Sequence, residues 1–103
     1  MSTLEKLAKT IAARKTADPE SSWTAKLLSN GTEKCAEKFG EESIEAIIAA
    51  TKGDKDNLKA EAADVLYHLL VMLEASDVPF GDVLAELERR EGLSGIAEKA
   101  ART

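Results

Sequence analysis

The segment "EAADVLYHLLVML" constrains the fold more than any other. It sets Val65, Leu66, Tyr67, Leu69, Leu70, Val71, Met72 and Leu73 around every side of a helix, and only His68 interrupts them. A helix that is apolar all round is expected to be buried all round. A chain of 103 residues has trouble surrounding such a helix by itself. The expected remedy is a second copy, most simply a homodimer.

The rest of the chain also reads as helix. No β-branched run alternates with period two, and the two prolines, Pro19 and Pro79, fall in connections. Leu4, Leu7, Ala8 and Ile11 mark one face of a first helix, which "TADPESS" ends. A short helix over "WTAKLL" follows, capped by Ser22 and closed by "SNG". Thr32 is expected to cap a long helix reaching about Thr51, and "KGDKDN" turns into a second long helix from about Asn57 to Ala75. Pro79 suits the opening of another helix, ending near Arg90, and Ser94 suits the cap of a last short one. The predicted fold is an all-α bundle around two long antiparallel helices. With no internal repeat or dividing linker, residues 1–103 are read as one domain.

Charge and composition exclude several functions. The formal net charge is −5, which disfavours nucleic acid as a partner. The longest apolar run, "VLYHLLVML", is too short to cross a bilayer, and the amphipathic start carries no secretory signal, so a soluble cytoplasmic protein is expected. The single cysteine, Cys35, allows no internal disulfide and reads as a small buried side chain.

The acids then stand out. Glu41, Glu42 and Glu45 lie three and four residues apart, on one side of the first long helix. Ile44, Ile47 and Ile48 form an apolar stripe to one side of them, and Cys35, Phe39, Ala46 and Ala50 form another. The carboxylates are therefore expected between two packed surfaces. On the second long helix Glu61, Asp64 and His68 share a stripe, and antiparallel packing would bring both acidic groups together. So many hard oxygen ligands suit Mg²⁺ or Mn²⁺. From spacing alone, a metal site and a surface salt-bridge network both stay open, and His68 reads first as a hydrogen-bonded core histidine and only second as a ligand or acid/base group. Di-iron chemistry is disfavoured because the chain has no Glu-x-x-His pair.

Glu-Glu-x-x-Glu followed by Glu-x-x-Asp resembles the all-α MazG-like nucleoside triphosphate pyrophosphatases. "SSWTAKLLSNG", "KCAEKFGEESIEAIIAA", "EAADVLYHLLVML" and "RREGLSGIAEKAAR" resemble, more closely, the phosphoribosyl-ATP pyrophosphatase family. The Asp-x-x-Tyr-His of Asp64, Tyr67 and His68 and the C-terminal segment set that family apart from the wider superfamily. Trp23 stands where the family often has Tyr, and Phe39 where it usually has an aliphatic residue. With no cyclohydrolase segment in these 103 residues, a monofunctional version is expected. The resemblance implies hydrolysis of 1-(5-phosphoribosyl)-ATP to the AMP compound and pyrophosphate in histidine biosynthesis, dependence on Mg²⁺, and a homodimer.

In that frame Glu42, Glu45, Glu61 and Asp64 are the expected ligands. Glu41 is a ligand, a supporting group or a base that orients water. Substrate phosphates are expected at Lys34, Lys38, Lys99 and Arg102, at the backbone of Ser94 and Gly95, and beside His68. Two rivals carry the same residues: a housecleaning pyrophosphatase for non-canonical nucleoside triphosphates, and a non-enzymatic helical interaction module.

Overall fold

The computed structural model describes residues 2–91. Its elements run α1 (Thr3–Arg14), α2 (Trp23–Ser29), α3 (Thr32–Lys52), α4 (Lys55–Ala75) and α5 (Phe80–Glu91), with no strand among the described residues. The expected all-α order is present. The helix placed after Ser94 lies outside the described residues.

The helix starts follow local chemistry. Ser2 and Glu5 form a reciprocal capping box, with bonds of 3.1 and 3.2 Å. The Ser22 hydroxyl accepts from the Ala25 N–H at 3.1 Å, as its position before "WTAKLL" requires. Thr32 departs from expectation. The residue at the cap of α3 is Gly31, and the Thr32 hydroxyl instead donates to the Ala75 carbonyl, 3.0 Å away at the end of α4. A bond between residues so far apart in sequence outcompetes the local cap.

That bond also fixes the direction of the long helices. The start of α3 touches the end of α4, while the end of α3 reaches the start of α4 through Gly53 and Asp54 alone. The two are therefore antiparallel. Gly53 takes a left-handed φ of 73° to close α3, and the Asp54 carboxylate accepts from the Asn57 N–H to open α4. This tight turn sets the register that places one acidic group against the other.

The core is formed by Ile11, Leu27, Cys35, Leu70 and Val71, drawn from α1, α2, α3 and α4. Cys35 is buried as expected, and its thiol donates to the Leu27 carbonyl at 3.3 Å. Burial raises its pKa, so the sulfur is kept as an unreactive thiol. As the chain's length leads one to expect, a single copy does not bury α4 all round. Leu70 and Val71 are enclosed, but Leu66 stays 42% exposed. The stripe Ile44, Ile47 and Ile48 on α3 is exposed too, with Ile47 at 61%. One chain encloses one side of the long helix pair and leaves the other apolar side open.

Candidate active site

The acids sit on the paired helices. Glu42 and Glu45 are one turn apart on α3, and Glu61 comes from the first half of α4. One oxygen from each lies within 4.8 Å of the others, a grouping able to hold a metal ion. Three carboxylates this close repel one another unless a proton or a cation intervenes. Glu42 is pushed up to about 7, first by burial, then by a proton shared with Glu45 and by the charges of Glu45, Asp64 and Glu61. Glu61 is raised too, first by burial, then by its hydrogen bond with Glu45 and the charges of Glu45 and Asp64, against a smaller opposite pull from its hydrogen bond with Glu42.

A second observation points the same way. Glu61 Oε2 is shielded from solvent and has no hydrogen-bond partner among the described residues. A buried carboxylate oxygen without a partner costs free energy. A divalent cation would satisfy that oxygen and relieve the repulsion in one stroke. The donors are all carboxylate oxygens, the class that hard cations prefer. The residues present thus fit a divalent metal.

The remaining sequence-predicted residues lie around this trio or outside the described residues. Asp64 follows Glu61 by one turn and acts on Glu42 and Glu61 by charge, but its oxygens are not in the converging trio. Glu41 turns away from the trio to pair with Lys38 at 3.2 Å. Lys34 pairs with Glu37 at 3.5 Å, so part of its charge is answered on its own helix. Ser94, Gly95, Lys99 and Arg102 lie outside the described residues.

The carboxylates are less enclosed than their flanking stripes suggested. Glu42 and Glu61 are half-buried, while Glu41, Glu45 and Asp64 are exposed in the single chain. The reason is the open isoleucine stripe beside them.

His68 is enclosed, at 7% exposure, yet Nδ1 finds no partner among the described residues. Its ring meets Tyr67 edge-on, with centroids 5.0 Å apart. Burial lowers its pKa first, and the Lys38 charge adds to this, against the opposite pull of Asp64 and Glu41. A core histidine with every polar atom satisfied, the plainer of the two expectations, is therefore not what the fold contains.

One tie had no signal in the sequence. The hydroxyls of Thr24 and Tyr67 lie 2.5 Å apart and join α2 to α4 one turn beyond Asp64. The two residues are 43 positions apart, and neither type requires the other.

Known proteins resemble this chain over nearly its whole length. The family model for phosphoribosyl-ATP pyrophosphohydrolase matches residues 4–91. Proteins named phosphoribosyl-ATP pyrophosphatase are similar to it in Dinoroseobacter shibae, at 72% identity over 99% of this chain and 100% of that protein. The Rhodobacter capsulatus protein of that name is 71% identical over 99% of both chains. The Ruegeria pomeroyi protein is 72% identical over 99% of this chain and 97% of its own. The matched span takes in both acidic helices and the turn between them, and on this match the chain belongs to the phosphoribosyl-ATP pyrophosphohydrolase family.

Proposed function

We propose that this protein hydrolyses the α–β phosphoanhydride of 1-(5-phosphoribosyl)-ATP. Water enters, and 1-(5-phosphoribosyl)-AMP and pyrophosphate leave, as in the second step of histidine biosynthesis. The observation that carries this reading is the convergence of Glu42, Glu45 and Glu61 from two helices, in a chain of this family. A triphosphate and a carboxylate cluster are both anionic, so they meet only through cations.

We assign Glu42, Glu45, Glu61 and Asp64 as the ligands of Mg²⁺, with Mn²⁺ as a substitute. A bound divalent cation supplies charge neutralisation at the phosphates and a more acidic water. The chain's own groups do the rest. Lys38 holds Glu41 at the edge of the cluster, where that carboxylate is placed to orient the attacking water. The lysine itself faces the remaining phosphate charge. His68, one turn after Asp64 on α4, offers a nitrogen with no partner among the described residues. Ser94, Gly95, Lys99 and Arg102 complete the phosphate-binding set in this reading, within a single domain over residues 1–103.

The test is a product assay with phosphoribosyl-ATP beside ATP and non-canonical nucleoside triphosphates. Pyrophosphate release that favours phosphoribosyl-ATP and requires Mg²⁺ supports the proposal. Equal turnover of the panel points to a housecleaning enzyme instead. No turnover, with no Mg²⁺-linked stabilisation, points to an interaction module.

A homodimer belongs to the same reading. Ile44, Ile47 and Ile48 on α3 and Leu66 on α4 expose apolar side chains beside the acids. An apolar surface of this kind marks an association site. A second copy against it would also enclose the carboxylates. Ile47→Asp is expected to give a folded monomer by light scattering, with helical circular dichroism retained and activity reduced. An unmutated protein that is monomeric at micromolar concentration would contradict this. The reading places the protein in the cytoplasm, and no described helix is long and apolar enough to cross a membrane.

A further inference from the structure

Trp23 is 58% exposed, although it is the chain's single tryptophan and a natural core residue. It lines a cavity of about 520 Å³ with Pro19, Glu20, Ser21, Lys26 and Asn30. That is the size of a small-molecule site. Lys26 follows Trp23 by three residues on α2, so the indole and the ammonium share one side of the helix. No carboxylate among the described residues lies within ion-pair distance of Lys26. Glu20 is the one acid in the lining, at the rim.

Helix α2, which lines the cavity, is tied to α4 by an observed bond. Thr24, next to Trp23, is held to Tyr67 on α4, three residues past Asp64. Three residues of helix rise are about 4.5 Å. A nucleotide with its triphosphate on the carboxylates must still place its base. An open aromatic face accepts a purine by stacking, a contact that needs no particular hydrogen-bond pattern. A cation one turn away accepts a phosphate. Another cavity, about 430 Å³, lies against Leu73, Pro79 and Phe80, and is mainly apolar. It suits no part of a phosphorylated sugar.

We propose that the Trp23–Lys26 groove binds the nucleoside end of the substrate: Trp23 stacks on the purine, and Lys26 accepts the phosphate of the added phosphoribosyl group. The proposal rests on the phosphoribosyl-ATP reading above and deepens it. It gives the protein a device for telling its substrate from ATP, which the carboxylate cluster lacks, because both molecules carry the same triphosphate. Trp23 serves any purine nucleotide; Lys26 serves only the phosphoribosylated one.

The experiment uses the sole tryptophan as its own reporter. AMP and phosphoribosyl-AMP are titrated against the unmutated protein in Mg²⁺, with indole emission recorded. Both nucleotides are expected to quench it saturably, and phosphoribosyl-AMP at roughly tenfold lower concentration. Lys26→Ala should bring the two midpoints together. In steady-state assays Trp23→Ala should raise KM roughly ten- to a hundredfold with kcat little changed, since stacking supports binding and not chemistry. Trp23→Phe should recover most of the loss. Circular dichroism controls the fold, which an exposed side chain does not support. Emission typical of a buried indole and blind to nucleotide would overturn the proposal and point to a second copy over Trp23. Unchanged KM in Trp23→Ala would overturn it as well. Absence of phosphoribosyl-ATP hydrolysis in the unmutated protein would defeat the parent reading, and the AMP titration would then still judge the groove.

Discussion

Glu45→Gln is expected to lower phosphoribosyl-ATP hydrolysis by at least about a hundredfold while leaving the helices intact. Glu45 is the member of the trio that pushes up both Glu42 and Glu61. Replacing it removes one oxygen ligand and one charge. Metal stabilisation of phosphoryl charge is worth several kcal/mol, and each ~1.4 kcal/mol is tenfold in rate. The fold should survive, because the side chain is exposed and packs in no core. Without metal, thermal stability should hold or rise, since like charges no longer crowd Glu42 and Glu61. Asp64→Asn should lose activity too if Asp64 closes around the metal. Glu41→Gln should lose less, because Lys38 already holds that carboxylate outside the trio. Turnover of Glu45→Gln at the unmutated rate would remove the ligand assignment.

Leu70→Asp is expected to abolish folding. Leu70 is 4% exposed and packs in one cluster with Ile11, Leu27, Cys35 and Val71. An unpaired charge there costs several kcal/mol, roughly 3–5 for a buried ion without its partner. Loss of the leucine's packing adds about 2–5 kcal/mol, and domains of this size are stable by about 5–15 kcal/mol, so the two losses together take most or all of the stability. Leu66→Asp separates core from interface. That residue lies one turn earlier on the same face of the same helix but is 42% exposed, so the variant should fold and fail to associate. Urea melts followed by circular dichroism distinguish the two. A folded Leu70→Asp with an unchanged midpoint would mean that the core is elsewhere.

The contrast between Leu66 and Leu70 also shows what the sequence contains and what it lacks. Apolar residues on every side of α4 say that every side is to be covered. They do not say which stretch of the helix this chain covers by itself, because that depends on where α1 and α2 dock. The carboxylates divide in the same way. Spacing of three and four placed Glu42 and Glu45 on one side, since helical geometry is local. Their meeting with Glu61 followed from a short turn, Gly53–Asp54, that leaves little freedom of register. Glu41 has the same spacing to Glu45 that Glu61 has to Val65, yet it turns to Lys38, because an ion pair within one helix is available three residues away. Thr32 was read as a cap from its type and position, and a carbonyl 43 residues distant captured its hydroxyl. Thr24 and Tyr67 meet by the same kind of long-range docking. Local chemistry was legible; the partners chosen across helices were not.

The central claim is that Glu42, Glu45 and Glu61 form a divalent-metal site whose charge is balanced by protons when no metal is bound. The pH dependence of metal affinity tests it most directly. Glu42 has its pKa at about 7 in the fold, above its ordinary 4.5. A carboxyl raised in this way binds its proton more tightly in the folded state. Its contribution therefore turns against folding as pH climbs from about 4.5 through about 7. Metal must displace that proton, so affinity rises over the same range. Mn²⁺ binding, followed by the loss of the free-ion paramagnetic resonance signal, should be saturable and about tenfold tighter at pH 8 than at pH 6, the change expected for releasing one proton near pH 7. The same titration on Glu45→Gln should show weak binding at both. Affinity in the unmutated protein that is equal at the two pH values, or unaffected by Glu45→Gln, would contradict the account.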